Sequence, residues 1–167
     1  MADIHFRDEL LPTDLPEIRA IVESTGFFYP AEVDVAVELA HERLTKGAPS
    51  GYHFIFAEHG GRVVGYTCYG EIACTVGSYD VFWIAVYNDF RGHGLGKTLL
   101  TRTEQAIAQR GGRRIYLETS GREKYQPTRA FYDRCGYHAE ATLKDFYALG
   151  DDKVVYVKAV GETKIQS

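Results

Sequence analysis

The stretch Val81–Leu100, VFWIAVYNDFRGHGLGKTLL, constrains this chain more than any other. Val81 to Val86 are all apolar and rich in β-branched and aromatic types, which predicts a strand buried on both faces. A polar break, Tyr87-Asn88-Asp89-Phe90, precedes Arg91 and glycines at alternate positions, Gly92, Gly94 and Gly96. Leu95, Leu99, Leu100, Thr103 and Ile107 then fall on one face of a helix. Strand, glycine loop and helix in that order leave backbone N–H groups without partners at the positive end of a helix dipole. Such a place binds anions, phosphate above all.

Spacing narrows the phosphate ligand. A Walker loop needs glycine, four residues, then Gly-Lys-Ser/Thr. Gly96-Lys97-Thr98 supplies the tail, but the position of the first glycine is Arg91. The dinucleotide fingerprint G-x-G-x-x-G fails as well, because Gly94 and Gly96 would require glycine where Leu99 stands. No acidic strand suited to holding a metal follows the loop, which disfavours phosphate transfer. A turn needs one glycine, so three at alternate positions suggest close approach of a ligand to the backbone.

With 167 residues, 45% of them hydrophobic, the chain reads as one domain, residues 1–167, with a sizeable core. A net charge of −4 without a dense basic block argues against nucleic-acid binding. The three cysteines, Cys68, Cys74 and Cys135, form no C-x-x-C pair, so neither a metal site nor a disulfide framework is expected. No basic segment followed by an apolar run opens the chain. No apolar stretch reaches the roughly 20 residues of a membrane helix. A cytoplasmic protein without membrane association is the expectation.

Along the chain, Asp3 to Arg7 suits a first edge strand, and Pro12-Thr13-Asp14 starts a helix carrying Leu15, Ile18, Ile21 and Val22 as far as Gly26. Phe27-Phe28-Tyr29-Pro30 is an aromatic connector, followed by a helix from about Ala31 to the residue before Gly47. Tyr52–Glu58 and Arg62–Glu71 read as strands joined by the hairpin signal His59-Gly60-Gly61. Ile72 to Tyr79 connects to the central strand. After the loop helix, capped at Gly111-Gly112, come a parallel strand Arg113–Glu118, a polar loop Gly121–Gln126 and a helix from Pro127 to Gly136. Strands Tyr137–Tyr147 and Val154–Val160 and a polar tail complete the order β-α-α-β-β-β-α-β-α-β-β, a mixed α/β (α+β) sheet protein.

IAVYNDFRGHGLGKTLL resembles the acetyl-coenzyme A loop of the GNAT superfamily of N-acetyltransferases, and the element order from Ile4 to Val160 is similar to its fold. TRAFYDRCGY, Thr128 to Tyr137, resembles the second signature, in which Phe131-Tyr132, Gly136 and Tyr137 take the expected places. Many members carry asparagine seven residues before this tyrosine, where this chain has Tyr125, so no contact through that amide is carried over.

The resemblance implies transfer of an acetyl group from acetyl-coenzyme A to an amine, with no metal. It places Arg91, Gly92, His93, Gly94, Leu95, Gly96, Lys97 and Thr98 around the pyrophosphate, mostly through backbone N–H. His93 is an exposed loop residue on this reading and not a catalytic imidazole. Ile84, Ala85 and Val86 would pair with the pantetheine arm as an added strand does, and Phe131 would line the coenzyme site or pack. A lysine-type amine has a pKa of about 10.4, so holding it neutral at pH 7 costs about 4.6 kcal/mol, which calls for a base or a desolvating pocket. The departing thiolate, with a pKa of about 8.5 on the cysteine scale, gains from a proton donor, and Tyr132 is the candidate.

The segments around Glu118, Tyr132 and DFYALGDDKVVYVK are similar to the ribosomal-protein N-terminal acetyltransferases, in which a glutamate at the position of Glu118 is implicated as base. Glu71, Asp80 and a water relay are rivals for that role. A small-molecule amine or amino acid is the expected acceptor. A protein N-terminus and a non-catalytic acyl-coenzyme A sensor are the alternatives, and a homodimer is open.

Overall fold

The computed structural model describes residues 3–161. The polar tail read from the sequence lies, from residue 162 on, outside the described residues. Among the described residues, seven strands are hydrogen-bonded in the order β1-β2-β3-β4-β5-β7-β6, a mixed α/β architecture in agreement with the sequence. Contacts cluster into two units, one holding the chain up to Gly70 with Val81–Glu104, the other Glu71–Asp80 with the chain from Gln105.

The first unit starts with the short strand β1 (His5–Arg7) and the helices α1 (Asp14–Ser24) and α2 (Pro30–Lys46). α2 begins one residue before the expected Ala31, because a proline at the first helical position needs no N–H partner. Strands β2 (His53–His59) and β3 (Arg62–Glu71) pair antiparallel through the expected tight turn, in which Gly60 and Gly61 both have positive φ, 58° and 79°. Alternation along β2 and β3 sends Phe54, Phe56, Tyr66 and Cys68 into a core with Ile18, Ile21 and Val22 of α1 and Val33, Ala36 and Ala40 of α2. Phe54 and Phe56 stack at 5.7 Å with Tyr66 alongside. Each such side chain contributes about 1.5–3 kcal/mol on burial. The carboxylate of Asp14, 2% exposed, accepts bonds from both ends of the Arg7 guanidinium and from Leu11 N–H, which makes its burial tolerable.

Helix α3 (Leu95–Gln109) follows strand β4 (Ser78–Val86), and both elements run through both units. Within the first unit Leu95, Leu99, Leu100 and Thr103 are buried, and the hydroxyls of Thr103 and Thr67 bond at 2.7 Å. A side chain at Gly65 would meet Leu99 Cδ1 at 3.0 Å, so this strand glycine admits the helix. The expectation that Val81–Val86 is buried on both faces does not hold. Val81 and Ala85 are buried, but Phe82 is 40% exposed, so the segment alternates instead. The strand also starts earlier than read, at Ser78, which shortens the expected Ile72–Tyr79 connection.

In the second unit Ser78, Tyr79 and Asp80 pair in parallel with Arg114, Ile115 and Tyr116 of β5 (Arg114–Ser120). The polar Ser78 and Asp80 hide this strand start from a hydrophobic pattern. A single helical turn, Glu123–Tyr125, leads into α4 (Gln126–Arg134) where the sequence reads as loop. Strands β6 (His138–Ala148) and β7 (Asp151–Ala159) form a hairpin, and β7 pairs antiparallel with β5. Among the described residues no helix is long and apolar enough to cross a membrane.

Candidate active site

The glycine loop belongs to the first unit. Tyr87 N–H donates to Val64 O at 2.7 Å, which carries the strand register past the end of β4. A helical turn at Asn88–Phe90 follows, tied to the end of α1 by a bond from Asn88 N–H to Ser24 Oγ at 3.1 Å. The Arg91 guanidinium lies 5.7 Å from the centroid of Phe27, so the aromatic connector supports the loop. Gly92 and Gly94 have φ of 81° and 79°, and a Cβ at either would meet nothing within 4 Å. Backbone conformation, not crowding within the protein, demands glycine at these two positions. Gly96 differs: it is the second residue of α3.

Arg91, Gly92, His93 and Gly94 are exposed, as are Lys97 and Thr98, whereas the Leu95 side chain is in the core. Leu95 therefore offers a ligand only its backbone. Thr98 N–H closes the first helical turn on Gly94 O at 3.1 Å, leaving the N–H groups before it at the positive end of α3. Ile84 and Val86 are half-buried and Ala85 lies in the core, all beyond the last parallel pair, Asp80–Tyr116.

The second unit holds the candidate acid–base groups. Tyr132, on α4, is 6% exposed. Its ring meets Tyr156 edge-on at 5.5 Å and lies near Tyr137 and Phe131. Burial, with smaller contributions from Cys135, Tyr156 and Tyr147, pushes its hydroxyl above the ordinary tyrosine range. Phe131 is half-buried, in keeping with packing beside Tyr132.

Glu118 is on β5 opposite Val155, and its Oε2 lies 2.8 Å from Lys153 Nζ. Asp80 stands opposite Tyr116, so Asp80, Tyr116 and Glu118 project from one face of the strands. Burial first, then the charge of Glu118, raises the Asp80 carboxyl to about 6, against the opposing pull of Lys153. Leu117, the residue before Glu118, faces the other way and stands opposite Tyr156, the partner of Tyr132. Tyr132, the candidate proton donor, and the carboxylates thus lie toward opposite faces of the β5–β7 ladder.

Sequence reasoning gave Asp80 only a minor place and passed over Lys153. The polar start of β4 masked the first, and the register of β7 is needed to see the second. Among the basic residues near the second signature, Arg129 donates to the carbonyls of Ser120 and Arg122 at 2.7 and 2.8 Å, and so organises the loop before α4. Arg122 pairs with Asp151 at 3.3 Å.

Residues 17–137 match the model of the acetyltransferase (GNAT) family. A candidate GNAT-family acetyltransferase from Desulfovibrio desulfuricans is 48% identical, with 94% of this chain and 99% of that one covered and a TM-score of 0.93. The ribosomal-protein-S18-alanine N-acetyltransferase from Escherichia coli matches at 18% identity over 99% of both chains, with a TM-score of 0.77. An aminoglycoside 6′-N-acetyltransferase complexed with coenzyme A matches at 18% identity over 94% of this chain and 96% of its own, with a TM-score of 0.75. The last two likenesses are of fold alone. A family model that spans most of the chain, on a fold with a glycine loop opening α3, leaves one assignment: the chain belongs to the GNAT family of acetyltransferases.

Proposed function

We propose that this protein moves the acetyl group of acetyl-coenzyme A to a primary amine of a small molecule or amino acid, by direct attack on the thioester. The observation that carries this reading is the exposed loop Arg91–Thr98. Two of its glycines are held at positive φ in front of a fifteen-residue helix, whose first N–H groups have no partner within the helix and suit a pyrophosphate.

On this reading Arg91, Gly92, His93, Gly94, Leu95, Gly96, Lys97 and Thr98 surround the pyrophosphate. The backbone of Ile84, Ala85 and Val86 takes the pantetheine arm, and Phe131 borders the coenzyme. The amine approaches from the Asp80–Glu118 face and gives up its proton to the carboxylates there, while Tyr132 meets the thioester from the opposite face of the ladder. The amine's lone pair attacks the thioester carbon, and the carbon–sulfur bond breaks as the tetrahedral intermediate collapses. The sulfur departs toward Tyr132 as a thiolate, and the second proton of the attacking nitrogen, shed as the amide forms, reaches it through water. Because burial keeps that phenol protonated at every physiological pH, it always has a hydrogen to offer. Full transfer to a thiolate of pKa about 8.5 runs uphill, so its contribution is a hydrogen bond to the developing charge.

Glu118 is the base by resemblance. The raised carboxyl of Asp80 supports a second reading, in which Asp80 titrates near the working pH as a proton acceptor does.

The test is release of free thiol from acetyl-coenzyme A against amino acids, polyamines, aminoglycosides and short peptides with varied N-termini. Release with small amines supports the proposal, and release confined to peptides moves the acceptor to a protein N-terminus. Tight coenzyme binding without release supports the sensor reading, and failure to bind coenzyme A overturns the role of the loop.

A further inference from the structure

The Asp80–Glu118 face carries a third charge that the mechanism above does not use. Lys153 stands opposite Ser120 on β7, two residues beyond Glu118 along β5, so it projects from the same face. Its ammonium is 2.8 Å from Glu118 Oε2 and 4.2 Å from the centroid of Phe146 on β6. The lysine is 14% exposed and the glutamate 43%, so the pair is anchored at the lysine end. A lysine clamped between a carboxylate and a ring loses most of its rotamer freedom, which a solvated surface pair does not.

Other charged groups near this face are engaged elsewhere. Arg114 on β5 donates to Tyr116 Oη and to Glu140 of β6, each at 3.2 Å. Asp151 on β7 is taken by Arg122 and by the Ser120 hydroxyl. Glu71 acts on Tyr79, which faces away from Asp80. Glu118 and Lys153 are the two charges that act on Asp80, with opposite signs.

We propose that Lys153 is a positioning residue for proton transfer: it pins Glu118 beside Asp80 and balances their charge, so that the two carboxylates accept one proton from the incoming ammonium. The step balances simply. R–NH3+ gives a proton to the carboxylate pair and becomes R–NH2, whose lone pair is then free to attack, and the proton later leaves to water. Without Lys153 the carboxylates repel each other, and the pair retains a proton at neutral pH that it should be ready to accept. This role rests on the acetyltransferase reading above.

The test uses Lys153→Met and Lys153→Arg in the full chain, with thermal melts to confirm folding. Carbon-13 NMR follows the Asp80 carboxyl in coenzyme-free protein, assigned through Asp80→Asn. The pH profile of kcat/KM is measured with acetyl-coenzyme A and the amine that gives most thiol release. Lys153→Met should move the Asp80 midpoint upward by about one pH unit. The acid limb of the rate profile should shift equally, giving about a threefold loss at pH 6.5 that approaches tenfold by pH 5 and disappears by pH 8.5. Lys153→Arg should restore both, which a merely structural residue would not do.

An Asp80 midpoint that stays in place in a folded Lys153→Met overturns the proposal whatever the turnover. A midpoint that moves while the acid limb stays overturns the role in proton transfer. Absence of turnover with every amine in the unmodified protein overturns the acetyltransferase reading and this role with it. The NMR midpoint separates that failure from a failure of the Lys153–Asp80 coupling.

Discussion

The ring of Tyr132 meets that of Tyr156 edge-on with centroids 5.5 Å apart, and Tyr156 stands opposite Leu117, the neighbour of Glu118. One residue along β5 therefore separates the side of the ladder that buries a phenol from the side that carries carboxylates. A strand sends successive side chains to opposite faces, so two chemistries can sit close in sequence without touching. Tyr132→Phe keeps the ring and its packing and removes only the hydroxyl. On the proposed mechanism it should lower kcat by about 100- to 1000-fold, the range for loss of one hydrogen-bond donor to developing negative charge. Coenzyme A affinity, measured by calorimetry, should stay nearly constant. An unchanged kcat across pH 6–9 would remove Tyr132 from the mechanism.

The loop glycines divide into two kinds, and substitution should tell them apart. Gly94→Ala places a Cβ in open space but at a φ of 79°, which costs about 1–2 kcal/mol of backbone strain. It should lower the melting temperature and weaken coenzyme A binding together. Gly96→Ala sits in the first turn of α3, where alanine is the better helix former by about 1 kcal/mol. It should leave the melting temperature unchanged or raise it, yet weaken coenzyme A binding if a pyrophosphate must approach that backbone. Full affinity in Gly96→Ala would show that the ligand does not come so near.

Asp80 makes stability depend on pH. Its folded-state carboxyl is raised to about 6, above the ordinary value of about 3.9, so between those values the folded protein holds the extra proton. Stability from this group therefore falls as pH rises through that window, and the loss is complete above it. Asp80→Asn should be more stable than the unmodified protein at pH 7.5, by about 1 kcal/mol after solvent screening, and equally stable at pH 4. Denaturant titrations at the two pH values measure this, and a gain of equal size at both would point to packing instead.

Tyr66 is fully buried in the first unit, and its hydroxyl has no hydrogen-bond partner among the described residues. An unsatisfied buried hydroxyl costs about 1–3 kcal/mol. Tyr66→Phe keeps the stacking on Phe54 and Phe56 and should raise the melting temperature by about 2–4 °C, as calorimetry can show. A lower melting temperature would mean that the hydroxyl is satisfied in solution.

The buried Asp14–Arg7 pair should behave in the opposite way. Arg7→Met leaves the Asp14 carboxylate, 2% exposed, without its two guanidinium bonds. The loss should reach about 3–5 kcal/mol at pH 7 by denaturant titration. Adding Asp14→Leu should recover part of it, because the uncompensated charge goes with the carboxylate.

What the sequence determined by itself is local or periodic: the order of helices and strands, the Gly60-Gly61 hairpin, the loop entering α3, and the place of Tyr132 on a short helix. Glycine geometry, helix caps and apolar spacing act over a few residues, so they are legible without the fold. Tertiary structure decided what depends on register between distant strands. Ser78–Asp80 became strand only because β5 pairs with them, against their own polarity. Phe82 became exposed because pleating alternates sides whatever the composition of the run. Asp80, Glu118 and Lys153 lie far apart along the chain, and they share one face because Asp80 pairs with Tyr116 and Lys153 with Ser120. A one-residue slip in either ladder would have sent a charge to the other side, and no local pattern encodes that choice.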